Sequence, residues 1–97
     1  GVTPQNDGEV VRINIPPLTE ERRKDLVKKV KALGEDAKVS VRNARREAMD
    51  QIKKAVKEGF PEDAGKSKED EVQKLTDKHI ENIDRTVEAK EKDIMTV

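Results

Sequence analysis

Residues 14–26 read N-I-P-P-L-T-E-E-R-R-K-D-L, and the character of the chain changes within this stretch. The two prolines impose an extended, stiff backbone, because proline fixes its own φ and disfavours a helical conformation in the residue before it. Thr19 has the side chain of a helix N-cap. The two glutamates after it place negative charge in the first turn, where the helix dipole favours it. The stretch predicts a helix that begins just after Thr19.

Apolar residues recur with a helical period beyond this point. They lie about 3.6 residues apart, and they are Leu26, Val30, Leu33, Ala37, Val41, Ala44, Ala48, Ile52 and Ala55. This stripe predicts one long helix that runs to about Glu58. Gly34 lies inside the helix and should weaken it by about 1 kcal/mol relative to alanine.

A second helix is predicted after a break in this pattern. Gly59, Pro61 and Gly65 are typical of a surface loop, and Ser67 with Asp70 resembles a capping box. The apolar stripe of the second helix consists of Val72, Leu75, His79, Ile83, Val87 and Ile94. A loop of about eight residues lets the helices fold antiparallel. The predicted fold class is therefore all-α, a long antiparallel helical hairpin.

The sequence upstream of the prolines has a different period. Within residues 9–15, Val11, Ile13 and Ile15 alternate with polar side chains, which is typical of a half-buried strand. The prediction is a short N-terminal extended strand whose pairing partner is not apparent in the chain.

The composition limits the classes of protein that fit. The chain has 97 residues, of which 32% are hydrophobic and 43% charged, and it has no cysteine. Such a profile belongs to long helices or to a disordered chain, and the helical period favours helices. Disulfides and thiolate metal sites are excluded. No apolar run approaches the roughly 20 residues that span a membrane. We therefore expect a cytoplasmic protein without a membrane partner.

Charge is unevenly distributed along the two predicted helices. Residues 22–57 contain 13 Lys and Arg against 5 Asp and Glu, whereas residues 58–97 contain 7 against 12. A polyanion would be attracted to the first segment and repelled by the second. Any contact with nucleic acid is therefore expected on the first helix.

The basic side chains of that helix can be placed on a helical wheel. Arg42 and Arg46 lie away from the apolar stripe and Arg45 borders it, while Lys31, Lys38 and Lys53 fall in the outward sector. From charge alone, a merely solvated face is the commoner interpretation of such a ridge. The other interpretation is a phosphate-binding surface, because the planar guanidinium group donates two parallel hydrogen bonds to phosphate.

The residues that most enzymes need are not apparent. His79 is the only histidine, and its place on the apolar stripe favours a packed core or interface residue. We find no nucleophile with a base, no glycine-rich phosphate loop and no set of metal ligands. The sequence indicates a non-enzymatic protein without a metal or cofactor.

Three stretches resemble the C-terminal half of bacterial ribosome recycling factors. They are residues 14–26, V-R-N-A-R-R-E at residues 41–47, and D-E-V-Q-K-L-T-D at residues 70–77. The resemblance implies the last two helices of a three-helix bundle, within residues 19–97. It also implies that residues 1–15 are the remnant strand of an inserted β-rich domain and that residues 16–18 are a hinge. The hinge residues are Ile15, Pro16, Pro17 and Leu18. The first helix of the bundle has no counterpart in this sequence.

The resemblance also implies a function. In this family, arginines that match Arg42, Arg45 and Arg46 contact 23S rRNA of the large ribosomal subunit, and Lys38 joins them as a candidate on the same ridge. The family acts with elongation factor G to disassemble post-termination ribosomes. Composition and periodicity equally allow a generic helical-hairpin module for protein–protein interaction. With two apolar stripes left open, we also expect a homodimer that closes into a four-helix bundle.

Overall fold

The computed structural model describes residues 19–96, which form two long helices. Helix α1 spans Glu20–Lys57 and helix α2 spans Glu62–Met95, and they pack against each other as an antiparallel hairpin. The predicted all-α hairpin is confirmed. The predicted strand at residues 9–15 and the hinge from Ile15 to Leu18 lie outside the described residues.

The N-terminus of α1 forms as its sequence predicts. The Thr19 hydroxyl oxygen accepts a hydrogen bond of 3.0 Å from the backbone N–H of Arg22. This bond satisfies one of the donors that a first helical turn leaves unpaired. Glu20 and Glu21 then occupy that turn, at the positive end of the helix dipole. Thr19 is therefore confirmed as the N-cap.

The turn between the helices is shorter than predicted. Gly59 has a φ of 115°, the left-handed conformation that glycine adopts without a steric penalty. The Phe60 N–H donates to the carbonyl of Ala55 and the Gly59 N–H to that of Val56, at 2.9 and 3.1 Å. These bonds form a Schellman motif, which ends α1 and reverses the chain within a few residues.

The predicted start of α2 was wrong. The helix begins at Glu62, after Pro61 in the N-cap position, so Ser67 lies inside the helix and does not cap it. Two acidic residues in the first turn, Glu62 and Asp63, favour this earlier start through the helix dipole. Gly65, which we expected in the loop, is a buried residue of α2.

Two helical glycines allow the helices to approach closely. A Cβ atom placed on Gly65 would lie 2.6 Å from Cγ2 of Val56, and one placed on Gly34 would lie 2.5 Å from Cγ2 of Val87. Real side chains do not tolerate such distances, so each helix presents bare backbone to a valine of the other. The close packing of the helices at Gly34 thus offsets the unfavourable helix propensity of glycine.

We expect the Gly34→Ala substitution to destabilise the hairpin by about 2 kcal/mol. The added methyl group should gain about 1 kcal/mol of helix propensity. Overpacking costs about 1–3 kcal/mol, and the stiff χ1 of Val87 places this site at the upper end of that range or above it. Urea unfolding at one fixed protein concentration measures the change.

Two further variants test the cause of this destabilisation. Val87→Ala removes the methyl group that would clash, so in that background Gly34→Ala should cost much less. Ser40→Ala, at an exposed position of α1, should stabilise the helix without overpacking, by less than the gain from glycine to alanine. A Gly34→Ala variant more stable than the parent would show that the close approach does not constrain this position.

The predicted apolar stripe of each helix faces the other helix only in part. Val30, Val41 and Ile52 are half-buried between the helices, whereas Leu33 is 68% exposed and Leu75 is 57% exposed. Among the described residues no hydrophobic side chain is fully buried. Each stripe is wider than the contact between two helices, so one edge of it remains open.

The far end of the hairpin is closed by a cross-helix cap. Nη1 of Arg23 donates to the backbone carbonyls of Ile94 and Thr96, at 2.8 and 3.0 Å. A cation at this position also suits the negative end of the α2 dipole.

Within residues 19–96, neither helix has a stretch that is long and apolar enough to cross a membrane.

Candidate nucleic-acid interface

Three arginines lie together in the middle of α1. Arg42, Arg45 and Arg46 occupy an arc of about 100° on the helix surface, as expected for residues separated by three or four positions. Arg42 and Arg46 are exposed, and Arg45 is half-buried against α2. The cluster therefore begins at the contact between the helices and extends to the solvent.

Arg45 is held by a side chain of the opposite helix. Its Nε donates a hydrogen bond of 2.8 Å to Oε1 of Gln73, which is half-buried. The Nε2 group of Gln73 donates in turn to Oδ1 of Asp77, at 2.9 Å. Arg45 was predicted to border the apolar stripe, and the structure places it there.

None of the three arginines is neutralised by a nearby carboxylate among residues 19–96. The partner of Arg45 is the neutral amide of Gln73, and Nη1 of Arg46 donates to the neutral Oδ1 of Asn43, at 3.2 Å. Arg42 forms no side-chain hydrogen bond or ion pair with the described residues. The cluster therefore keeps three positive charges that an external anion could neutralise.

The outward position predicted for Lys38 was wrong. Its side chain is 16% exposed, and its Nζ lies 2.8 Å from Oδ1 of Asp84 and 2.9 Å from Oε2 of Glu35. These hydrogen bonds, first that to Asp84 and then that to Glu35, raise the pKa of Lys38. The wheel misplaced Lys38 because α2 packs beside its sector of α1. Lys31 keeps an exposed side chain, with its Nζ 3.8 Å from Oε1 of Glu91.

These cross-helix contacts form a regular series, which we call the polar ladder. It consists of the pairs Lys31–Glu91 and Lys38–Asp84 and of the chain from Arg45 through Gln73 to Asp77. Successive members are seven residues apart on α1 and, in the opposite direction, on α2. A seven-residue spacing returns to nearly the same face of a helix, so the ladder follows one side of the hairpin.

The other side of the hairpin carries an apolar groove, which we call the open groove. Its volume is about 510 Å³. It is lined by Val30, Leu33, Gly34, Ala37, His79, Asn82, Ile83, Thr86, Val87 and Lys90. The imidazole of His79 is exposed on its wall, so within the hairpin this residue is not the packed core residue that its stripe position suggested. The arginine cluster and the groove thus belong to opposite sides.

The sequence analysis did not predict that residues of α2 contribute to this site. Gln73 and Asp77 contribute to the family resemblance, and their i, i+4 spacing also places them on one face of a helix, which was a signal that they act together. Which residues of α1 they would face depends on the register of the hairpin, and the periodicity of a single helix does not determine that register.

Within residues 19–96, no three His, Asp or Glu side chains are grouped closely enough to hold a metal ion.

A family model and individual relatives all match this chain to the same family of proteins. Residues 1–95 match the family described as ribosome recycling factor. The chain is 59% identical over 97 residues to the ribosome-recycling factor of Phocaeicola vulgatus and 59% identical over 98 residues to that of Porphyromonas gingivalis. It is 60% identical over 98 residues to that of Staphylococcus haemolyticus. Each alignment covers 100% of this chain and 52% or 53% of the relative, so the chain spans about half the length of these relatives.

Proposed function

Because the chain belongs to the ribosome recycling factor family, we propose that its arginine cluster binds rRNA of the large ribosomal subunit. The RNA expected from the family resemblance is 23S rRNA. The binding residues are Arg42, Arg45 and Arg46, with a smaller contribution from Lys38. Lys38 contributes less because Glu35 and Asp84 already balance its charge.

The observation that carries this proposal is the lack of carboxylate partners around the three arginines. Cations at several other positions of the hairpin form ion pairs, for example Lys68 with Glu71 and Arg85 with Glu81. The clustered arginines hydrogen-bond only to neutral groups among the described residues. Their charge is therefore available to phosphates, and each phosphate that they neutralise releases counterions.

The chemistry of the cluster favours recognition of RNA shape over sequence. Helix α1 contains no aromatic residue, and Phe60, the only one in the chain, lies in the turn between the helices. Base stacking on aromatic rings is thus not offered by α1, which leaves phosphates and sugar hydroxyls as the main partners of the arginines. Binding should depend steeply on salt and weakly on base identity.

The intact factor would use this surface as one part of a larger mechanism. We propose that it acts in the cytoplasm, as a translation factor and not as an enzyme, and that it disassembles post-termination ribosomes together with elongation factor G. In this scheme residues 1–15 belong to the second domain and residues 16–18 are the hinge. The first helix of the bundle would cover the open groove.

A homodimer is our proposal for the chain by itself. A second copy could cover the open groove by pairing the same surface of both copies about a two-fold axis. The polar ladder would stay outside this interface because it lies on the other side of the hairpin.

The open groove also favours a second candidate function, that of a protein-interaction module. An apolar surface of this kind can take an amphipathic helix from another protein. The two functions differ in their response to salt. Binding to rRNA should weaken strongly as ionic strength rises, whereas helix-in-groove binding should change little.

We expect Arg45→Ala to weaken binding of the chain to large ribosomal subunits by about 1–3 kcal/mol. The slope of log affinity against log salt should fall by about one ion. Because Arg45 also bonds to Gln73, the hairpin should lose about 0.5–1.5 kcal/mol of stability. Circular dichroism at the assay temperature therefore has to accompany the binding titration.

The matched control is Arg85→Ala. Arg85 is an exposed arginine of α2 that pairs with Glu81, outside the cluster. Its removal should leave binding unchanged within about 0.5 kcal/mol. Undiminished binding of a fully helical Arg45→Ala variant at low salt would refute the assignment of Arg45.

A further inference from the structure

The side chains of Asp77, Gln73 and Arg45 form a directed chain of hydrogen bonds across the hairpin. Asp77 Oδ1 accepts from Gln73 Nε2, and Gln73 Oε1 accepts from Arg45 Nε. The chain thus connects the acidic helix to the phosphate-binding cluster. The direct partner of the guanidinium group is thus the neutral amide of Gln73 and not the carboxylate of Asp77.

The orientation of the Gln73 amide follows from the chemistry of its two neighbours. A carboxylate can only accept hydrogen bonds and a guanidinium group can only donate them. The NH2 group must therefore face Asp77 and the amide oxygen must face Arg45. A flipped amide would bring oxygen against oxygen at one end and N–H against N–H at the other.

This arrangement leaves the phosphate-binding edge of Arg45 available. The guanidinium group has five N–H bonds in one plane, and the bond at Nε is the one that Gln73 engages. Among the described residues, Arg45 has no other side-chain hydrogen bond or ion pair. The two terminal nitrogens therefore keep the parallel N–H bonds that match two oxygens of a phosphate.

Holding Nε also reduces the entropy that Arg45 loses on binding. A free arginine side chain has many rotamers, and immobilising such a side chain at an interface lowers affinity. In the hairpin the guanidinium plane is already set by Gln73, and the amide of Gln73 is set by Asp77. Part of the ordering is therefore complete before RNA binds.

We propose that Gln73 is a positioning residue for Arg45 and that Asp77 fixes the amide of Gln73. This inference rests on the proposed binding of rRNA by Arg45. Gln73 need not touch RNA itself, since it acts by holding the guanidinium plane and by leaving its terminal edge open.

A double-mutant cycle on large-subunit binding tests the inference. Gln73→Ala should weaken binding about three- to tenfold, the cost of ordering one long side chain. The salt slope should stay unchanged, because Arg45 still reaches its phosphate. In the Arg45→Ala background, Gln73→Ala should have no further effect, because no guanidinium group is left to position. Asp77→Asn and Asp77→Ala remove the same negative charge, but only Asp77→Asn keeps an oxygen acceptor for Gln73. Asp77→Ala should therefore bind about three- to tenfold more weakly than Asp77→Asn.

Glu91→Ala is the matched control for hairpin stability. It removes another member of the polar ladder without touching the arginine cluster, so binding should not change. The inference is overturned if Gln73→Ala binds like the parent while Arg45→Ala does not, or if Gln73→Ala weakens binding equally in both backgrounds. Unweakened binding by Arg45→Ala would instead overturn the proposed function.

Discussion

We expect light scattering to give the chain a mass of about 22 kDa at micromolar concentration, twice its 11.0 kDa. The reason is the lack of a buried core: none of the described hydrophobic side chains is fully buried, and Leu33 and Leu75 are more than half exposed. Each large apolar side chain that a second copy covers should contribute about 1.5–3 kcal/mol. Two hairpins joined along their open grooves would form a four-helix bundle.

Two variants of α1 locate the interface. Leu33 lines the open groove and Val39 does not, yet both are exposed apolar residues of the same helix. Leu33→Asp would bury one carboxylate per copy in the dimer and should weaken association at least about 100-fold. Val39→Asp should leave the dimer intact. A fully helical 11 kDa monomer of the parent chain would contradict the dimer, and equal effects of the two variants would contradict its placement in the groove.

The features that were predicted correctly from the sequence depend on local physics. The N-cap bond of Thr19 involves residues within one helical turn, and the helical period of the apolar residues follows from a buried face. Gly65 shows the limit of such signals. A glycine near a proline favours a loop, but at this position the absence of a Cβ atom allows Val56 of the other helix to approach. That information is tertiary, and local patterns do not contain it.

In the candidate site, too, the local features could be predicted from the sequence and the contacts between the helices could not. The arginine cluster could be predicted because it lies within five residues of one helix. The ion pair of Lys38 with Asp84 and the contact of Arg45 with Gln73 could not, because they join residues 46 and 28 positions apart in the chain. Antiparallel pairing brings them together only in one register. The polar ladder itself favours that register, because its cations on α1 meet acidic or amide side chains on α2.

The largest functional effect that we expect concerns the splitting of post-termination ribosomes. In the mechanism proposed for the intact factor, the bundle holds the large subunit while the second domain, moving on the hinge, meets elongation factor G. The residues described in this chain form only the hairpin. The 97 residues span about half the length of the relatives they match. We therefore expect these residues by themselves to bind subunits but not to split ribosomes, because the proposed mechanism also needs the domain that meets elongation factor G.

A competition assay makes this expectation measurable. Added in excess to an intact factor with elongation factor G and GTP, the chain should lower the splitting rate by occupying the shared rRNA surface. The variant with Arg42, Arg45 and Arg46 replaced by alanine should not compete, since three phosphate contacts of about 1–3 kcal/mol each are removed. A peptide with the sequence of the first bundle helix should strengthen competition by covering the open groove, yet it should not restore splitting. If the chain alone split ribosomes at the rate of the intact factor, the hairpin would have to transmit that force itself, and the proposed division between the two domains would be wrong.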